Sequence, residues 1–201
     1  MTVAKGRLSA EERRAAVLEC ACQIFAKGSY HGATTADIAR GAGVTEPILY
    51  RHFASKRDLY LACLAEAWGE TRAMWERTIA EEPDPALWAA VMGRNYLAAR
   101  DKRGHIAQLW VQAMTEASDD PEIRRFVRRQ MRDVHGFVAS VIRSAQDAGA
   151  IVRDRDPEAE AWIFISIGLL GTVSKRLGGL VDEDFPKIFA SRRKWMTGQD
   201  A

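Results

Sequence analysis

An all-α fold is expected for this chain, on three observations. Only 6 of its 201 residues are proline, while alanine, arginine, leucine and glutamate, all good helix formers, are plentiful. Apolar residues recur at three- and four-residue intervals between recognisable helix caps. No stretch alternates apolar and polar residues for long enough to read as a strand.

The elements can be justified in order. Ser9 followed by Glu12 is a capping box, and it opens a first helix running to about Lys27 with Val17, Ala21, Ile24 and Phe25 on its apolar face. Gly28 to Gly32 breaks it. Thr34 caps a short second helix, with Asp37 at the reciprocal capping position and Ile38, Ala39 and Ala42 facing inward. Gly41-Ala42-Gly43 makes a tight turn, where glycine supplies a positive φ. A short third helix starts at Thr45, with Pro47 in its first turn, where a missing N–H costs little. Ser55 then caps a long fourth helix to about Glu81, ended by Pro83 and Pro85. Further helices are expected at about 85–101, 104–117, 121–149, 157–179 and 185–196. Asp120-Pro121-Glu122 and Asp156-Pro157-Glu158 each place a cap, a proline and a first-turn acid. Gly149 and Gly178-Gly179 supply stops.

Composition excludes several classes. Hydrophobic residues at 47% and charged residues at 28% describe an ordinary globular chain, not a disordered tail or a fibrous repeat. The net charge of +2 conceals an asymmetry: residues 1–60 hold 9 Lys/Arg against 6 Asp/Glu, and the remainder holds 20 against 21. An anionic partner is therefore expected at the N-terminal end. The opening stretch has no apolar signal region, and three cysteines are an odd number, which together point to a reducing, cytoplasmic compartment. Cys20 and Cys22 project about 200° apart on a helix, so they share neither a metal nor a disulfide. No phosphate-binding glycine loop, metal-spaced His/Cys cluster or strand-borne nucleophile is visible, so neither enzyme activity nor a cofactor is expected.

Two short helices joined by a glycine turn and carried on a longer first helix form the pattern of a helix-turn-helix reader. On the third helix, Leu49 and Phe53 lie one turn apart and face the core, against Ile38 and Val44. Arg51 then points outward beside Pro47 and Ile48, with Tyr50 and His52 about 80° to either side of the core direction. Such a face offers an apolar contact for a thymine methyl, a guanidinium suited to guanine and two flanking phosphate donors.

The run Thr34-Thr35-Ala36-Asp37-Ile38-Ala39, through Gly41-Ala42-Gly43-Val44-Thr45, to Leu49-Tyr50-Arg51-His52-Phe53-Ala54-Ser55-Lys56 resembles the DNA-binding domain of the tetracycline-repressor (TetR) family. The resemblance covers about residues 10–60; beyond it, only helix number and length match. It implies a DNA-binding domain over residues 9–55, with its motif at about 34–53, and an effector-binding and dimerisation domain over 56–201. It further implies phosphate contacts from Thr34 and Thr35, base contacts from Thr45, Glu46, Pro47 and Ile48, and backbone contacts from Tyr50, His52 and Lys56. Tyr50 is alternatively a packing aromatic, and Lys56 an ordinary first-turn lysine. Ser29 stands where the family usually has glycine before the aromatic Tyr30. Glu46 places a carboxylate at the DNA-facing end of the reading helix, where it either accepts from a cytosine amino group or is repelled by phosphate.

Ala161 to Val173 is apolar on nearly all sides, yet its 13 residues fall short of the roughly 20 needed to span a bilayer. Such a helix is buried on every side, either wholly inside or with one face on a second subunit that Gly168 and Gly171 allow to approach. The resemblance implies the second, a homodimer on a palindromic operator. It also implies a pocket for a small, largely apolar effector, walled by Trp68, Trp110 and Trp162. Asn95 and Gln130 interrupt apolar rows and are costly to bury without a partner, which marks them as further candidates for that wall. His105 and His135 are expected to be ordinary structural histidines. Arg124, Arg125, Arg128, Arg129 and Arg132 form a basic stripe, read as a solvated face paired with Glu116, Asp119, Asp120 and Glu122, or else as a site for an anionic effector or extra phosphate contact. The expected function is thus a ligand-responsive DNA-binding regulator. A helical protein-interaction module and a TetR-like regulator without an effector are the alternatives.

Overall fold

The computed structural model describes residues 9–102 and 104–199, all helical or irregular, with no strand among them. Nine α-helices follow in order: α1 (Ala10–Lys27), α2 (Thr35–Gly41), α3 (Glu46–His52), α4 (Lys56–Glu81), α5 (Trp88–Lys102), α6 (Gly104–Glu116), α7 (Pro121–Asp147), α8 (Pro157–Arg176) and α9 (Phe185–Thr197). A single 3₁₀ turn at Pro85–Leu87 leads into α5, where the sequence pattern suggested one continuous helix.

The caps act largely as the sequence reads. Ser9 and Glu12 form the full reciprocal box at the start of α1. Ser55 accepts from the Asp58 N–H, Asp120 from Glu122 and Ile123, and Asp156 from Glu158. At α2, the Asp37 N–H donates to Thr34 Oγ1, but the Asp37 carboxylate accepts from the Thr34 hydroxyl at 2.6 Å instead of reaching back to the backbone. The reciprocal half of that expected box is therefore replaced by a side-chain pair.

Around the α2–α3 turn, two glycines are required by geometry. Gly43 takes a φ of 68° in the turn between α2 and α3. Gly41 lets α2 approach α1, because a Cβ there would lie 2.6 Å from Cys20 Sγ. The cysteines are free, with Cys22 and Cys63 buried as small core residues.

The core divides into two clusters, and the division does not fall at residue 55. Val17, Phe25, Ile38, Leu49 and Phe53 share the first cluster with Leu59, Tyr60 and Leu64 of α4, Leu109 and Ala113 of α6, and Ile123 and Val127 of α7. The second gathers Trp68 and Trp75 of α4 with Met92, Val138, Ile142, Ala161 and Met196. The reading helices thus sit on the lower halves of α4, α6 and α7. Arg57 fastens this junction, pairing with Asp120 at 3.2 Å and with Glu122 at 2.9 Å. Desolvation opposes ionisation of Asp120, but the Ile123 and Glu122 N–H groups and the Arg57 guanidinium outweigh it and hold the carboxyl below its ordinary value.

Among the described residues, no helix is long and apolar enough to cross a membrane. The outer face of α8 carries Trp162, Ile163, Leu170, Val173 and Leu177, all exposed. These positions fall within about 100° of the helix circumference, a single apolar stripe. Gly168 does not serve that face as expected. It turns inward, where a Cβ would meet Tyr96 Cε1 at 3.6 Å.

Candidate nucleic-acid interface and interior cavity

Leu49 and Phe53 are buried and seat α3 on the first cluster, with Ile38 beneath and Val44 packed alongside. The opposite side of the helix presents Pro47 and Arg51 to solvent, with Ile48 and His52 half-buried at its flanks. Tyr50 is 47% exposed, which sets aside its reading as a packing aromatic. Thr45 caps α3 by backbone geometry alone, so its exposed hydroxyl makes no capping bond.

Several of the other predicted contact residues have intramolecular partners. The Thr35 hydroxyl donates to Glu46 Oε1 at 2.6 Å and lies 3.2 Å from the Tyr50 hydroxyl. Glu46 is therefore neither free for a base nor simply facing phosphate; it is tied across the turn to α2. Thr34 is engaged with Asp37. Lys56 Nζ donates to the His31 carbonyl at 3.3 Å and sits 4.8 Å above the Tyr30 ring. Burial lowers the pKa of that ammonium, with Glu116 acting in the opposite sense. Two of its three N–H donors remain for an anion.

A partly open cavity of about 80 Å³ is walled by Trp68 and Trp75 of α4, Tyr96 of α5, Trp110 and Met114 of α6, Met131 of α7 and Phe164 of α8. Of the five residues expected to line it, the structure brings Trp68 and Trp110 together and leaves three outside. Asn95 is exposed and donates to Oγ1 of the buried Thr78 on α4 at 2.9 Å, so its interruption of an apolar row reflects this interhelical pair. Gln130 is buried away from the cavity wall, its Oε1 without a hydrogen-bond partner among the described residues. Trp162 belongs to the outer stripe of α8, stacked on His135 at 4.3 Å. Trp75, Tyr96, Phe164, Met114 and Met131 were missed as wall residues. The one threonine in the wall, Thr71, already donates to the Ala67 carbonyl.

His135 Nε2 bonds the Glu158 carbonyl at 2.9 Å, while the side chain of His105 lies outside those described. The arginine stripe is only partly paired as expected: Arg124 donates to the Ala117 and Ser118 carbonyls, and Arg125 lies 3.9 Å from Glu122. Glu116 pairs instead with His31, and Asp120 with Arg57. No group of three metal-ligating side chains occurs among the described residues.

Comparison with known proteins agrees with this arrangement. Residues 17–63 match the family described as bacterial regulatory proteins, tetR family, and residues 85–167 match the C-terminal domain of BetI-type transcriptional repressors. The chain is 29% identical over 195 residues to the HTH-type transcriptional regulator TtgR of Pseudomonas putida, covering 86% of this chain and 91% of that protein. It is 48% identical over 58 residues to the HTH-type transcriptional activator FasR of Mycolicibacterium smegmatis, a match spanning 29% of this chain and only 26% of that protein. In fold it is similar to a TetR-family transcriptional regulator from Rhodococcus sp., with a TM-score of 0.82 at 22% identity over 93% of this chain and 99% of that one. Fold, reading helix and relatives together define a helix-turn-helix, DNA-binding transcriptional regulator. The chain belongs to the TetR family.

Proposed function

We propose that this regulator works in the cytoplasm as a homodimer on an inverted-repeat operator, and that a small, largely apolar effector whose apolar part occupies the interior cavity releases it. The observation that carries the reading is the α3 surface, where Thr45, Pro47, Tyr50 and Arg51 project from a helix anchored by Leu49 and Phe53. The apolar stripe on α8 supports the dimer, and the aromatic cavity supports the effector. Binding of the purified protein to DNA flanking its coding region, titrated against salt, tests the reading. Affinity for an inverted repeat that falls steeply with salt is expected, and indifference to DNA would leave the helical-interaction alternative.

Contacts divide by role. Lys56→Ala is expected to weaken binding about equally on all sequences and to lower the salt slope by about 1 per half-site. Changes at Arg51 or Ile48 alter the preferred sequence instead, with about 1 to 3 kcal/mol of lost discrimination per contact. Competition binding against a panel of single-base operator variants separates the two.

Glu46 gives a less obvious result. Its carboxylate accepts from the Thr35 hydroxyl and places a negative charge in the first turn of α3, next to the proposed DNA-contact residues. Glu46→Gln keeps the shape and removes the charge, so affinity for unrelated DNA is expected to rise several-fold. An unchanged affinity for unrelated DNA would show that this carboxylate stands clear of the phosphates.

A further inference from the structure

A groove of about 560 Å³ runs between α5 and α9, separate from the interior cavity but sharing a wall with it. Leu87, Phe185 and Phe189 make its sides apolar, and the exposed Arg94 and Arg193 stand on its rim. Neither guanidinium meets a carboxylate among the described residues. Asp182 also borders the groove, but its Oδ1 accepts from the Ser174 hydroxyl at 2.8 Å. The groove therefore presents two cations that meet no carboxylate among the described residues, with one carboxylate at its border, and is net positive over a largely apolar floor.

Phe189 and Leu97 line both spaces. The Phe189 ring lies against Gly93, where a Cβ would sit only 2.9 Å from Phe189 Cε1. Any side chain at that position would push the ring aside, so the partition is the Phe189 ring, held by contact with a glycine, beside Leu97. Rotation of Phe189 would join a largely apolar chamber to a groove that ends on positive charge. A neutral apolar compound fits the chamber and leaves the guanidiniums unused, whereas a cation is repelled at the rim.

From this continuity we infer that the effector is an elongated amphipathic anion: its apolar chain passes between Phe189 and Leu97 into the cavity, and its anionic head pairs with Arg94 and Arg193. The inference rests on the reading of the cavity as an effector site, and it adds the charge and shape of the ligand.

The test uses three probes of one chain length below their aggregation concentrations: dodecanoate, dodecanol and dodecyltrimethylammonium. Binding is followed by tryptophan fluorescence, since Trp68, Trp75 and Trp110 wall the cavity. Dodecanoate is expected to bind the full-length protein most tightly, and the double variant R94Q/R193Q to weaken it about tenfold while moving dodecanol less than about twofold. Equal losses for the two probes, a preference for the cation, or no binding of dodecanoate would overturn the inference. Operator release, measured in parallel, separates it from the reading it rests on. Arginine-dependent dodecanoate binding without release keeps the anion site and removes the switch. Release by dodecanol, independent of both arginines, keeps the switch and removes the anion site.

Discussion

Leu170→Glu is expected to convert the protein from dimer to monomer at micromolar concentration and to lower operator affinity by about two to four orders of magnitude. Leu170 is 39% exposed in the single chain and lies within the α8 stripe formed by Trp162, Ile163, Val173 and Leu177. In a monomer a glutamate there remains solvated, so the fold itself is expected to survive. In a dimer the same carboxylate is buried against the partner without a counter-ion, which costs about 3 to 5 kcal/mol. The effect on DNA follows from the linkage of two half-sites: losing the second converts an intramolecular event into an independent one, and the gain from bivalency is typically about 10² to 10⁴. Sedimentation and operator titration on the same sample check both parts. As a control, Ala65→Glu puts the same charge on an exposed position of α4 and is expected to leave the mass of a dimer. A Leu170→Glu protein that still sediments as a dimer would place the interface elsewhere.

The stripe also shows what the sequence could and could not convey. A segment apolar on every side demands cover on every side, and that demand is legible without coordinates. Caps and turns were equally legible, because Ser9, Thr34, Ser55, Asp120 and Asp156 act on backbone groups within a few residues of themselves. The reading face was legible because helix periodicity alone turns Leu49 and Phe53 inward and Arg51 outward.

The cavity was not legible, for a physical reason. Its wall includes Trp68, Trp75, Tyr96 and Phe164 at spacings identical to those of solid core, and only the failure of the surrounding helices to close fully distinguishes the two. Polar interruptions such as Asn95 looked informative, yet the cheapest fate for such a group is a nearby partner, here Thr78. Trp162 could not be assigned to the inner or the outer side while α8 was apolar all round. The Glu46 tie to Thr35 was hidden too, since it depends on how closely the turn at Gly43 folds α3 back onto α2.

Gln112→Leu is expected to leave effector binding nearly intact while reducing effector-driven release of DNA from tenfold or more to less than about threefold. The long α4 runs from the Lys56 end to the cavity, but α6 connects the two sites more directly. Trp110 and Met114 project from it into the cavity wall. Gln112 and Glu116, about 200° around the same helix, face the opposite way. Gln112 Nε2 donates to the Ala26 and Gly28 carbonyls, across 86 and 84 residues of sequence, and so holds the C-terminal end of α1 where the chain turns toward the reading motif. Glu116 adds a pair with His31 at 3.0 Å, but His31 is largely exposed and that contact is worth little in water. A ligand that displaces Trp110 and Met114 is therefore expected to act on α1 through Gln112 as well as through the Leu109 and Ala113 packing, and the Gln112 bonds are the part that a single substitution removes. A tenfold change in DNA affinity corresponds to about 1.4 kcal/mol of coupling, and two hydrogen bonds of about 0.5 to 1.5 kcal/mol each are sufficient to transmit it. Reciprocity makes the measurement strict: operator DNA must weaken effector binding by the same factor in the wild-type protein, and by a correspondingly smaller factor in the variant. Fluorescence titration of the effector with and without operator reads both factors. Full coupling retained in Gln112→Leu would assign transmission to α4 and its Arg57 clamp instead.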